Sequence, residues 1–278
     1  MPAPLGRLRA LLIDLSGTIH VSNQPTPNAA QAIQRLRKAG IVLRWVSNTS
    51  KESTVRQLVE ADILKPFYLL SPSALSDFPT PSSSTSLQDL DSVIVGLSPT
   101  SFDYPTLNKA FRLLAGEKDP STSSSSSSEA EQKKKSSTHK PPRLIATHRA
   151  LYVRDKDGAL SLGPGGFVTA LEESSGVKAE VVGKPERKFF ELALDSLAKE
   201  GINPDAWSQV GMVGDDYRQD TGLVVQQLGL HRFLVQTGKY RPGDEERLAA
   251  SDAQNSNPEW CGESFEKVVD WVLEDEQI

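Results

Sequence analysis

LRALLIDLSGT, residues 8–18, holds the reading on which the fold turns: a strand over 8–13, apolar from Ala10 to Ile13, that ends on a carboxylate, Asp14, and then on a turn containing Gly17. A short apolar run bounded by turn residues reads as a buried strand. A carboxylate just past such a strand stands where open α/β sheets bind ligands, although an Asp before a Gly-containing turn is also ordinary turn chemistry. Working outward, Thr26 as cap, Pro27 in the first turn, and Ile33, Leu36 and Gly40 outline a helix, and residues 41–46 read as the next strand. Thr49 with Glu52 forms a capping box for a helix from near Ser50, and residues 68–70 give a third short strand. Strand and helix in alternation imply a parallel sheet with right-handed crossovers.

After Phe78 the texture changes to Pro79, Thr80, Pro81 and a run of serines, which reads as a linker. A second α/β series follows, with strands at 93–95 and 144–146, a helix through Leu107, Ala110, Phe111 and Leu114, and a hairpin of 151–153 with 160–162 turned at Asp157 and Gly158. A helix then carries Phe167, Ala170 and Leu171. Residues 117–140, rich in Ser and Lys, offer no apolar face to bury and are expected to be a disordered surface insertion. The first texture resumes near Ala179, with strands at 180–182, 209–213 and 231–235, helices at 187–199 and 221–228, and a last helix from Ser264. The expected fold is therefore α/β, a parallel-sheet Rossmann-like core over 1–78 and 179–278 with a smaller α/β domain inserted at 79–178.

The 278 residues carry 31 basic and 36 acidic side chains, a formal net charge of −5, which gives no electrostatic footprint for nucleic acid or an anionic membrane. No apolar run approaches the ~18 residues of a membrane span. One cysteine, Cys261, makes neither an internal disulfide nor a thiolate metal site, so the expected location is the cytoplasm, with the nucleus open as well.

Chemistry-bearing residues recur at strand ends. Besides Asp14 there are Ser47, Asn48 and Thr49, where hydroxyls and amide hydrogens meet a helix start. Lys184 lies between Gly183 and Pro185, and Asp215 and Asp216, with Asp220 beyond, follow the strand at 209–213. Each alone has a plain reading as helix cap, solvated lysine or turn acid. Several carboxylates packed together are unfavourable without a compensating cation or proton, and magnesium, which takes one or two carboxylates plus water and phosphate oxygens, suits them best.

In order, DLSGT at Asp14, SNT at Ser47, GKP at Lys184 and GDDYRQD at Asp215 resemble the four motifs of the haloacid dehalogenase superfamily. The interruption between the second and third resembles the type-two cap of its p-nitrophenyl phosphatase branch. The resemblance implies an enzyme hydrolysing a small phosphorylated substrate through an aspartyl-phosphate on Asp14. It implies Mg²⁺ held by Asp14, the Ser16 carbonyl and Asp215, and catalysis by Asp14, Ser47 and Lys184. Phosphate contacts would come from Ser16, Gly17, Ser47, Asn48 and Lys184, with Asp216 and Asp220 in support and a homodimer through the cap as the assembly to test. One place departs: the family's phosphatase motif has a second Asp two residues after the nucleophile, and Ser16 stands there, removing the obvious proton donor. A non-catalytic phosphate- or protein-binding module of the same fold is the rival that Ser16 supports, and a dehalogenase leaves the acidic pair without purpose.

Overall fold

The computed structural model describes residues 8–21, 24–48, 65–76, 86–117, 141–155, 157–246 and 256–275. The capping box at Thr49 and Glu52, the linker at 79–85 and the Ser/Lys-rich run at 118–140 lie outside them. In chain order the strands are β1 (Ala10–Ile13), β2 (His20–Val21), β3 (Gln24–Pro25), β4 (Val42–Trp45), β5 (Pro66–Leu69), β6 (Ser92–Val95), β7 (Arg143–Ala146), β8 (Tyr152–Arg154), β9 (Leu160–Leu162), β10 (Ala179–Val181), β11 (Val210–Gly214), β12 (His231–Val235) and β13 (Trp260–Gly262). The helices are α1 (Ala29–Lys38), α2 (Pro72–Leu75), α3 (Tyr104–Leu114), α4 (Gly165–Ser175), α5 (Arg187–Asp195), α6 (Leu223–Gln227) and α7 (Phe265–Asp275). Among the described residues no helix is long and apolar enough to cross a membrane.

The chain separates into two compact units, one of Met1–Ser50, Tyr152–Leu162 and Gly183–Ile278, the other of Lys51–Leu151 and Gly163–Val182. The first holds a five-stranded parallel sheet in the order β13-β12-β11-β1-β4. Successive side chains of a strand point to opposite faces. Leu11 and Ile13 accordingly pack with Leu36 of α1 and Phe265, Val268 and Val272 of α7. Ala10 and Leu12 pack on the other face with Phe190 and Leu194 of α5 and Val225 of α6. Helices on both faces bury both sides of β1, which is why 10–13 reads as a continuous apolar run rather than an alternation.

The second unit has its own parallel sheet, β10-β7-β6-β5. Val93, Val95, Leu144 and Ala146 pack there against Ala110, Leu113 and Leu114 of α3 and Val168 and Leu171 of α4. Two strands expected in the first sheet belong to this one. The run near Tyr68 pairs as β5 with β6, Tyr68 opposite Ile94, and the run near Glu180 pairs as β10 with β7, Glu180 opposite Ile145. The second unit thus begins upstream of residue 79, runs to Val182, and omits the β8–β9 hairpin, which groups with the first unit. Strand and helix alternate identically in both units, so local texture does not tell a strand which sheet it will join.

Three local differences also matter. β13 completes the first sheet although its three residues, Trp260, Cys261 and Gly262, carry no strand signal beyond one aromatic. The β2–β3 ribbon is equally short. Thr26 does not cap α1: Asn28, in the left-handed region, holds that position, and the Thr26 hydroxyl donates instead to the carbonyls of Thr18 (2.9 Å) and Ile19 (3.0 Å). It ties down the turn after Asp14.

Candidate active site

Asp14, Ser47 and Asp215 sit just past the carboxyl ends of β1, β4 and β11 in the first sheet. The Asp14 N–H donates to Val213 O (2.9 Å) and the Val46 N–H to Ile13 O (2.9 Å), so the residues following β1, β4 and β11 leave the sheet side by side. Asp14, Ser47, Asp215 and Asp220 are all buried. One oxygen from each of Asp14, Asp215 and Asp220 lies within 4.8 Å of the other two.

Lys184 joins this cluster from an unexpected direction. It follows β10, a strand of the second sheet, and not a strand of the first. Its ammonium, 2% exposed, donates to Asp14 Oδ1 (2.5 Å), Asp220 Oδ1 (2.6 Å) and Val46 O (3.2 Å). Burial pulls this lysine down, but Asp14 and Asp220 more than offset it and hold it above its ordinary value. The Asn48 side chain fixes the approach: its Oδ1 accepts the Lys184 N–H (2.7 Å) and its Nδ2 donates to Gln219 Oε1 (2.9 Å). Both polar atoms of that side chain are thus engaged within the protein.

The acids divide by role. Asp220 has both oxygens engaged, Oδ1 by Lys184 and Oδ2 by the Asp216 N–H (3.1 Å). Burial pushes its carboxyl up, Lys184 pulls it down, and Asp14 and Asp216 push again, leaving it at about 6. Asp216 Oδ1 accepts the N–H groups of Arg218 and Gln219 (3.1 Å each), which shapes the turn. Asp215 is different: Oδ2 accepts the Lys239 N–H (2.6 Å), while Oδ1 is buried with no hydrogen-bond partner. Burial, and then Asp14, push its carboxyl well above the ordinary carboxylate range.

A buried set of oxygen donors, one of them without a partner, fits a hard divalent cation such as Mg²⁺, whose charge would reverse the penalty these acids place on one another. Ser16, by contrast, is exposed, and its backbone bridges to His20. Gly17 has φ +99°, and a Cβ there would lie 2.1 Å from Asp215 Oδ2. Only glycine fits that approach.

Sequence reasoning singled out Asp14, Lys184, Asp215 and Asp220, which the structure brings together, but not residues 237–239. The Thr237 hydroxyl donates to the Gly17 carbonyl, and Lys239 Nζ lies 3.5 Å from Asp216 Oδ2. The signal was available: TGK follows the apolar strand β12, at the same sheet edge as the other anchors.

Comparison with known proteins agrees with this geometry. A family model described as haloacid dehalogenase-like hydrolase matches residues 11–64, and one described as HAD-hydrolase-like matches 181–266. Haloacid dehalogenase-like hydrolase domain-containing protein 2 of Homo sapiens is 37% identical, with 96% of each chain covered. The phospholysine phosphohistidine inorganic pyrophosphate phosphatase of Xenopus laevis is 29% identical, covering 88% of this chain and 89% of its own. In fold, the 4-nitrophenylphosphatase of Thermotoga maritima superposes with a TM-score of 0.69 at 19% identity, covering 95% and 97% of the two chains. A possible sugar phosphatase of Cytophaga hutchinsonii gives 0.72 at 18%, covering 94% and 95%.

Proposed function

We propose, from the premise that this chain belongs to the haloacid dehalogenase-like hydrolases, that it is a Mg²⁺-dependent phosphatase forming an aspartyl-phosphate on Asp14. The observation that carries this reading is the buried Lys184 bridging Asp14 and Asp220 beside Asp215, whose Oδ1 has no partner. An Asp14 oxygen attacks phosphorus in line, the bond from phosphorus to the leaving group breaks, and that group departs with the electron pair. Water then attacks the same phosphorus, the bond to Asp14 breaks, and inorganic phosphate leaves with Asp14 restored. Lys184, the Ser47 hydroxyl and the Asn48 backbone hold the phosphoryl oxygens, an electrostatic contribution that grows as charge develops, whereas the Gly17 N–H, expected to join them, is given to the His20 carbonyl (2.7 Å). Asp14, Asp215 and the Ser16 carbonyl would hold Mg²⁺, with Asp216 and Asp220 supporting. Bound there, the ion would neutralise charge between two anions.

Ser16 shapes the substrate class. With no carboxylic acid at that place to protonate an alkoxide, substrates whose leaving group departs readily are favoured: aryl phosphates, pyrophosphate and protonated phosphoramidates. The name of the Xenopus laevis relative carries pyrophosphate and phosphoramidate chemistry, in line with this inference. The second unit is read as the cap that selects the substrate, and a homodimer through it is tested by light scattering. A cytoplasmic location accords with the single, half-buried cysteine.

The rival, a phosphate-binding module with too little turnover to matter, draws on the exposed serine at 16. Phosphate release from pyrophosphate, phospholysine, phosphohistidine and p-nitrophenyl phosphate, with Mg²⁺ and with EDTA, decides between them. Mg²⁺-dependent release abolished in Asp14→Asn supports the phosphatase, and no release from any of the four substrates supports the rival.

A further inference from the structure

We propose that the loop of residues 237–239 is a positioning element that leaves only one oxygen of Asp215, Oδ1, free for a cation. The inference rests on the reading of Asp215 as a magnesium ligand and adds a group of residues to which that reading gives no part. Four contacts carry it. The Lys239 N–H donates to Asp215 Oδ2 at 2.6 Å. Gly238 takes φ +51°, and a Cβ there would stand 2.0 Å from the same oxygen and 2.5 Å from Gly17 Cα. Gly17 crowds Oδ2 as well, since a Cβ there would come to 2.1 Å. The Thr237 hydroxyl donates to the Gly17 carbonyl and so joins the two segments.

The consequence is a carboxylate that cannot turn. Oδ2 is crowded by two glycines and held by a backbone N–H, while Oδ1 is buried without a partner. Mg²⁺ demands near-ideal octahedral geometry and takes few carboxylates, so a single preset oxygen suits it better than a freely rotating pair. Holding the ligand in place during folding removes an ordering cost from binding. Lys239 adds a second restraint, since its ammonium lies 3.5 Å from Asp216 Oδ2 and draws the neighbouring acid to the loop. Groups that orient a metal ligand from outside the coordination sphere are typically worth about 10- to 100-fold in metal affinity.

The test is Mg²⁺ affinity by titration calorimetry on the full chain, with the urea midpoint in EDTA measured beside it. Gly238→Ala should weaken Mg²⁺ about 100-fold, and Thr237→Val, which keeps the shape but loses the tie, about tenfold. Thr237→Ser, retaining the hydroxyl, should bind as the wild type does. Gly229→Ala is the matched control, because Gly229 has φ +73° with nothing within 4 Å, so it meets the same backbone strain without the clash. Its affinity should stay unchanged. If Gly238→Ala does not fold, Thr237→Val against Thr237→Ser decides. Wild-type binding of Mg²⁺ with unchanged affinity in Thr237→Val overturns this inference alone. No Mg²⁺ binding by the wild type overturns the metal-dependent reading and this inference together.

Discussion

The Arg149/Glu172 pair in the second unit and the Asp14, Lys184, Asp220 and Asp215 cluster in the first both take charge out of water, and they do so by opposite arrangements. Glu172 meets Arg149 through two parallel bonds, at 2.8 and 2.7 Å, and also accepts the Ala179 N–H at 2.8 Å. One anion faces one cation and both Glu172 oxygens are satisfied. In the first unit Lys184 bridges two buried carboxylates, Asp14 and Asp220, while a third, Asp215, lies buried beside them with one oxygen left over. Arginine's planar fork makes the first arrangement a fastening for α4 and β10. The second carries an excess of buried negative charge, which is costly unless something positive arrives to offset it.

The contrast breaks most sharply at Asp14. Asp14→Asn should lower phosphate release by at least about 10⁴-fold, the scale on which loss of a nucleophile acts, while raising the urea midpoint in EDTA. A variant that turns over normally removes the covalent mechanism. Ser16→Asp sharpens the same side by adding one more acid. Alkyl phosphomonoesters should gain roughly 10²-fold over p-nitrophenyl phosphate, since proton transfer is worth about 10²- to 10⁴-fold where the leaving group needs it. The ratio of the two rates is the measurement, and equal gains remove leaving-group quality as the guide to substrate.

Stability should move in opposite directions in the two regions. Glu172→Gln should cost about 2 kcal/mol by urea unfolding, because Arg149 loses its partner, whereas Asp215→Asn in EDTA should be neutral or stabilising. The pH dependence follows the same division. The bonds from Arg149 hold the Glu172 carboxyl down to about 2 against burial, so its contribution is whole above the ordinary 4.5 and is lost as pH falls toward 2. Asp220, raised to about 6, is the reverse: its contribution is present below 3.8 and lost as pH rises through about 6. Unfolding from pH 3 to 7 in EDTA should therefore show a smaller low-pH loss in Glu172→Gln and a smaller loss toward neutrality in Asp220→Asn, the remainder there coming from Asp215, which is raised as well. The smallest effect is expected at Thr26→Val, about 1 kcal/mol for the hydroxyl that ties down the turn after Asp14.

Much of the site was legible because its anchors lie at strand ends, where an apolar run stops and a polar residue begins. Asp14 after β1 and Asp215 after β11 follow that pattern in the sequence. Lys184 followed it as well, but for the wrong sheet. Its strand pairs with β7, and the side chain meets Asp14 only because the chain crosses back into the first unit at Gly183. Residues 237–239 carry no assigned role in the sequence reading because a Thr, a Gly and a Lys after a strand are ordinary alone. Their meaning lies in a 2.6 Å contact with an acid 24 positions away. Thr26 illustrates the converse: it has the side chain of a helix cap, and its hydroxyl went to two carbonyls in the preceding turn.

What the sequence determined by itself was the kind and order of local elements and the chemical set at their ends. Periodicity, turn residues and strand length act over a few positions and are written where they act. What only the tertiary structure decided was membership and orientation: that β5 and β10 pair in the second sheet, that β13 completes the first, and that Asp215 keeps one oxygen free. Those outcomes depend on which apolar faces bury one another and on backbone groups far apart in the chain, and neither leaves a mark on any single stretch of residues.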